Sequence, residues 1–365
     1  MGWRLQSIQR ELSVVLLRAD GLDQAKHRVP RALHPTHSWN KLWRPPQTIQ
    51  MVHASGHGLH FAVLDFDVPK NTNSNVECIS RMLNVVFENM GAMPHQLVLI
   101  QDNCSRECKN QKILKWALKL KILSVIDSVL LLYPQKGHTH GPLDATGGQA
   151  ITKCSLSSFD TPEELCAIYD SFLKQSQCDE GTKRSLLSYK CDEQANWEQW
   201  WDEIGLQFNN LTGPLAPHSF EIKYLKDLGY LETAALDILW PLVFMPAGAP
   251  ASHPLDIVMV VRQRMSSKRY HQVALCVPGR SIPALRLRLS AQPEGLFPRK
   301  PLSKDNQMQI IKRAEEVYKN GHISEEAYEF LSGWAKGTRR RHLRPSSYPF
   351  LQHRLVVVQN VEYIA

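Results

Sequence analysis

The segment from Gln96 to Asp144 constrains the fold more than any other part of the chain. It holds two short apolar runs, LVLI after Gln96 and VLLLY after Ser128, separated by one helical pattern from Arg106 to Lys121. Each run is too short for a helix and too uniformly apolar for a half-exposed strand, so both read as buried parallel strands. Strand, helix, strand is a right-handed crossover, and in open α/β sheets the chemistry lies beyond the carboxyl ends of such strands. Both runs end there in polar clusters. Asp102-Asn103 follows the first; Gly137-His138-Thr139-His140 follows the second, with Asp144 just beyond.

Upstream, ELSVVLLRAD over residues 11 to 20 predicts a strand that ends at Asp20, and Gly21 permits a turn. Residues 47 to 66 predict a hairpin around Ser55-Gly56-His57-Gly58. Ile79, Met82, Leu83, Val86 and Met90 keep helical spacing, and Gly91 fits a helix stop. The order is β-β-β-α-β-α-β, which predicts an α/β fold with a ribonuclease-H-like mixed sheet. In that fold the first and fourth strands lie side by side at the sheet centre, so Asp20 and Asp102 end adjacent strands. A third carboxylate from the following segment completes a two-metal site for phosphodiester chemistry. Hard oxygen ligands suit Mg²⁺ or Mn²⁺.

Signals weaken beyond residue 155. The chain divides in this reading into a core over 1–155 and a C-terminal α+β elaboration over 156–365. The latter carries a helix near Ser158 to Lys174, a tryptophan-bearing helix around Trp197, Trp200 and Trp201, strands at 256–262 and 271–277, and a helical hairpin split at Gly321. Its basic run Arg339-Arg340-Arg341 is a candidate phosphate contact or nuclear signal.

A balance of 43 basic against 35 acidic residues gives a net charge of +8. That suits a polyanionic partner, DNA or RNA, without requiring one. No run approaches the ~20 apolar residues that span a bilayer, and MGWRLQSIQREL has no signal-peptide core. The eight cysteines are scattered and form no CxxC pair. Reduced thiols in the nucleus or cytoplasm are the expectation, and secretion is not.

The series ADGLDQAKHRVPR, QDNCSRECKNQKIL and GHTHGPLD resembles a transposon-derived family, domain of unknown function 7869, over about residues 10 to 150 and more loosely near PHSFEIKY. The resemblance implies a ribonuclease-H-like transposase core with Asp20, Asp102 and Asp144 as its acidic triad, binding Mg²⁺ or Mn²⁺ and acting on DNA. Asn103, His138 and His140 would be auxiliary, and Lys26, Lys109 and Arg339 to Arg341 would meet nucleic acid. A homo-oligomer is compatible with this reading. The sequence departs from the family pattern at His27, where phenylalanine is usual, and after His140. There Gly147-Gly148 costs about 1 kcal/mol per glycine in a helix, which predicts an irregular segment around Asp144.

Each residue also has a plainer role. Asp102 and Asn103 suit a helix N-cap, Asp20 suits a turn with Gly21, and Asp23, Asp65 and Asp67 compete as ligands. Lys109 suits a solvated helix face, and the tryptophans suit a core. Other functions remain open: a catalytically inactive relic that binds nucleic acid, an interaction protein, or an H-x-H metallohydrolase that adds His53, His57 or His60 as ligands.

Overall fold

The computed structural model describes residues 14–35, 37, 42–134, 142–175, 185–204, 207–208, 217–224, 243–244, 257–262, 271–274, 292–298, 302–336 and 348–351. The first half of the chain forms β1 (Val14–Gly21), β2 (Thr48–Ala54), β3 (Gly58–Leu64), α1 (Thr72–Met90), β4 (Gln96–Gln101), α2 (Gln111–Ile122) and β5 (Ser128–Leu132). β1, β2 and β3 make an antiparallel meander. β4 then pairs parallel with β1, and β5 parallel with β4. This is the β-β-β-α-β-α-β order that the sequence predicts.

The strands are apolar on both faces because both faces are covered. Val15 and Leu17 of β1 and Leu97 and Leu99 of β4 pack with α1 and α2, whose Ile79, Met82, Leu83, Ile113 and Trp116 are fully buried. Leu16, Val98, Leu130 and Leu132 form a small cluster on the opposite face. Asn71 caps α1 through a capping box with Ser74, and Gly91 closes it in the left-handed region at φ 72°. Asn110 caps α2 by accepting from the backbone of Lys112 and Ile113. α2 therefore starts five residues later than its apolar spacing predicts.

The sheet does not stop at residue 155. α3 (Pro142–Ser155) and α4 (Pro162–Gln175) lead to β6 (Ser185–Cys191), which pairs parallel with β3. After α5 (Trp197–Asp202) and the two-residue strand β7 (Gln207–Phe208), β8 (Ser219–Tyr224) pairs antiparallel with β5. β9 (Val243–Phe244) pairs with β7. β10 (Ile257–Arg262) and β11 (His271–Ala274) extend the main sheet beyond β8. The result is one nine-stranded mixed sheet, ordered β11-β10-β8-β5-β4-β1-β2-β3-β6. Four of its strands thus come from the C-terminal region, so the core and its elaboration share one sheet. α6 (Lys304–Lys319) and α7 (Glu325–Ala335) form the predicted helical hairpin and pack with α3 and α4 over the β2–β3 face. Trp197, Trp200 and Trp201 of α5 are core residues. Among the described residues no helix is long and apolar enough to cross a membrane.

The predicted irregularity around Gly147-Gly148 is overturned: α3 runs through both glycines. Leu143, Gly147, Ala150 and Cys154 recur at helical spacing and are its buried positions. A Cβ at Gly147 would lie 2.7 Å from Leu22 Cδ2 and 3.0 Å from Met51 Cε. The missing side chain lets α3 sit close on β1 and β2, and that packing outweighs the propensity cost. Gly148 faces open space. Gly148→Ala should therefore raise stability by roughly 0.5–1 kcal/mol. Gly147→Ala should yield no such gain, because its propensity benefit is offset by the contact with Leu22 and Met51. Thermal unfolding of the two variants checks the pair.

Candidate active site

The parallel register places two carboxylates together. Ala19 lies opposite Gln101 across the β1–β4 ladder, so Asp20 and the following Asp102 leave neighbouring strands at the same edge. By strand alternation both fall on the face occupied by Leu16 and Val98. α3 packs on β1 from one side and carries Asp144 in its first turn. The three predicted carboxylates meet in one open cleft of about 160 Å³, with Arg18, Gln101, Pro134 and Leu143 among its walls.

The electrostatics follow from that convergence. Burial pushes the Asp20 carboxyl up from 3.8 to about 6, and the charges of Asp144 and Asp102 push in the same direction. A hydrogen bond from the Gly21 amide at 2.8 Å and the ammonium of Lys70 oppose the rise. Lys70 is shared with Glu107 at 3.4 Å. The cleft and its rim thus set Asp20, Asp102, Asp144 and Glu107 against Lys70 and Arg18. Among the described residues no three His, Cys, Asp or Glu side chains are gathered as ligands of one ion. The donors present are nonetheless hard oxygens with excess negative charge, the chemistry that Mg²⁺ or Mn²⁺ requires. Gln101, beside Asp102 in the cleft wall, is buried with both ends of its carboxamide unpartnered. The sequence reading missed Gln101, although a glutamine closing an apolar strand is itself the signal.

The polar segment after Asp102 is pinned rather than loose. The Asn103 amide donates to Asp102 Oδ1 at 2.6 Å. Cys104 O accepts from the amides of Cys108 and Lys109, both at 2.9 Å. Asn110 Nδ2 donates to Thr72 Oγ1 at 2.6 Å, and Asn75 Nδ2 to Glu107 O at 3.3 Å, which dock the segment on the start of α1. Tyr133 donates to Cys108 O at 3.0 Å. Lys109 is 3% exposed, with its ammonium 5.8 Å from the centre of the Tyr133 ring. Burial lowers Lys109 to about 8. The DNCSRECKN residues beyond Asp102 therefore build the support on which Asp102 stands.

The competing ligands fall elsewhere. Asp23 caps the short 3₁₀ helix Gln24–Lys26 through the Ala25 amide, and Lys26 at its end is exposed. Asp65 is buried 3.9 Å from Lys190, which also pairs with Glu163 and Asp192. His57 lies in the turn of the β2–β3 hairpin, and His60 lies within β3 opposite Val52, two strands from β1, where it shares a 2.9 Å hydrogen bond with Ser185. Neither they nor His53 line the cleft. His27 is buried, bonded to Asp23 O and to the Tyr169 hydroxyl. His138, His140 and Arg339 to Arg341 lie outside the described residues.

An acid whose folded pKa exceeds its unfolded value makes the fold most stable below the unfolded value. That stability is lost as pH rises through the folded one. For Asp20 the loss runs from about pH 4 to about 6. Asp20→Asn should therefore be the more stable protein at pH 7.5, by on the order of 1–2 kcal/mol after allowing for solvent at the cleft. The advantage should vanish near pH 4. Denaturant unfolding at both pH values checks it.

Residues 40–230 match the family model described as Domain of unknown function (DUF7869). Asp102 and Asp144 fall inside the matched span, and Asp20 precedes it. No curated protein and no solved structure matches. The matched residues are just over half of the sequence, and the chain belongs to this family.

Proposed function

We propose that this chain is a transposase-derived nuclease of the ribonuclease-H-like class, which cleaves or joins DNA phosphodiesters with the help of divalent metal ions. The observation that carries the reading is the convergence of Asp20, Asp102 and Asp144 from β1, β4 and α3 in one cleft. The strand order β3-β2-β1-β4-β5 supports it, with β1 and β4 parallel at the centre as in ribonuclease-H-like sheets. Asp20, Asp102 and Asp144 would hold Mg²⁺ or Mn²⁺. Bound there, the ions supply charge neutralisation at the phosphodiester and a nucleophile at neutral pH.

The chain's own residues do the rest. β1 and β4 hold Asp20 and Asp102 at a fixed spacing, and α3 brings Asp144 over them. Asp20 must lose its proton before it can ligate, so metal binding should weaken below about pH 6. The open cleft admits an extended backbone, whereas a closed pocket would suit a small molecule.

A second reading is a catalytically inactive relic that keeps the fold and binds nucleic acid or a protein partner. It is favoured by the absence, among the described residues, of a preformed three-ligand cluster. Two measurements separate the readings. Millimolar Mg²⁺ or Mn²⁺ should raise the melting temperature of the native chain at pH 7.5 but not that of Asp102→Asn. With Mn²⁺ present, the native chain should nick plasmid DNA, and Asp102→Asn should lose at least 100-fold of that rate while keeping its fold. Undiminished nicking by Asp102→Asn would overturn the assignment.

A further inference from the structure

The segment that joins β1 to β2 is strongly basic. Between Leu22 and Pro46 it carries Lys26, Arg28, Arg31, Lys41 and Arg44 against the single acid Asp23. Where described, it is held as a rigid mount. Arg28 lies opposite Pro46 in a bridge, and the Val29 amide donates to Pro45 O at 3.1 Å. Arg31 forms a two-way backbone bridge with Phe159, at 2.7 and 3.0 Å. Two arginines are oriented by carbonyls. Arg31 Nη1 donates to Lys26 O at 3.2 Å and its Nη2 to Ser155 O at 3.4 Å. Arg44 Nη1 donates to Pro30 O at 3.4 Å. Arg28 is exposed, as is Lys153 in the last turn of α3.

Arg28, Arg31 and Arg44 are gathered despite mutual repulsion. Burial lowers the Arg44 guanidinium, and the like charges of Arg28 and Arg31 lower it further. The exposed Arg28 and Lys153 can meet phosphate oxygens directly, while Arg31 and Arg44, whose guanidinium groups donate to carbonyls, add fixed positive charge behind them.

The position of the cluster relative to the cleft follows from α3. Asp144 lies in the first turn of that helix, and Ser155, which accepts from Arg31, is its last residue. Eleven residues at ~1.5 Å rise set the two about 16 Å apart. Along one strand of nucleic acid, with ~3.4 Å per nucleotide, that is about five nucleotides.

We propose that Lys26, Arg28, Arg31, Arg44 and Lys153 form a phosphate-gripping surface that holds a DNA backbone about five nucleotides from the acidic cleft. The surface rests on the reading of DNA as the substrate and supplies a net attraction for a polyanion, which the cleft lacks because its four acids outnumber Arg18 and Lys70. It is assigned from position and charge, and no base-specific contact is implied.

The test is binding of a labelled DNA duplex of about 30 base pairs to the full chain, without divalent ions, followed by fluorescence anisotropy over a range of salt. Each phosphate contact contributes about 0.9 to the slope of log affinity against log salt. Arg28→Gln/Lys153→Gln should lower that slope by nearly two and weaken binding at least tenfold at about 0.1 M salt. Arg28→Lys/Lys153→Arg should retain both, and so should Lys312→Gln on α6. Unchanged melting temperatures establish that the variants fold. Native-like slope and affinity in the Gln pair would overturn the surface while leaving DNA binding intact. An equal loss in Lys312→Gln would overturn its localisation. Failure of the native chain itself to bind DNA would overturn the nucleic-acid reading together with the surface.

Discussion

The parallel pairing of β1 with β4 is the constraint on which the site depends. Its register, Val14 with Gln96 through Ala19 with Gln101, fixes which residues leave the sheet together. A slip of one position would turn Leu16 and Val98 to the wrong face and separate Asp20 from Asp102. The slip is opposed on both faces at once, by the α1–α2 core on one side and the Leu16, Val98, Leu130 and Leu132 cluster on the other. The carboxylates contribute nothing favourable to this arrangement; Asp20 is destabilised by it. The apolar interior therefore holds the acids against their own repulsion, an arrangement common at sites that await a ligand.

Two polar networks extend that rigidity. One ties the segment after Asp102 to the start of α1 through Asn110, Thr72 and Asn75. The other centres on Glu77, which is fully buried. Glu77 accepts from Trp197 Nε1 at 2.9 Å, the Ala195 amide at 3.1 Å and the Tyr348 hydroxyl at 2.6 Å, and pairs with Arg81 at 2.8 Å. A buried carboxylate is tolerated only with such partners. Here three of the partners, Ala195, Trp197 and Tyr348, come from the C-terminal half, so α1 braces the cleft and anchors the distant chain at the same time. α2 is joined to α5 in a similar way. Lys115 pairs with Asp202 and Lys119 with Glu203, and the Lys119 ammonium lies 4.3 Å from the centre of the Trp200 ring.

Local signals made the first half legible. Apolar runs, caps and glycine stops lie within a few residues of what they specify, and they give the β-β-β-α-β-α-β order and the placement of Asp20 and Asp102. The start of α2 was misread because Arg106 to Asn110 continue the polar side of a helical pattern, while the backbone turns instead on Cys104 O and Asn110. α3 was misread because propensity is a local quantity and the reason for Gly147 is Leu22, more than 120 residues earlier. The joining of β6 to β3 and β8 to β5 was not legible at all. Both are pairings of sequence-distant strands, and nothing within SLLSYKC or SFEIKY names the partner edge.

The charge pattern bears on function beyond any single residue. Asp20, Asp102, Asp144 and Glu107 give the cleft region a net negative charge that repels phosphate, with Lys70 and Arg18 as a partial offset. A chain that brings DNA to such a place needs two separate sources of positive charge. One must act inside the cleft, where a divalent ion satisfies the carboxylates and the substrate together. The other must act outside it, where fixed cations hold the backbone whether or not the ion has arrived. A net charge of +8 set against an acidic centre has that division. Binding and chemistry would then answer to different conditions, the first to salt through counterion release and the second to proton and metal through Asp20.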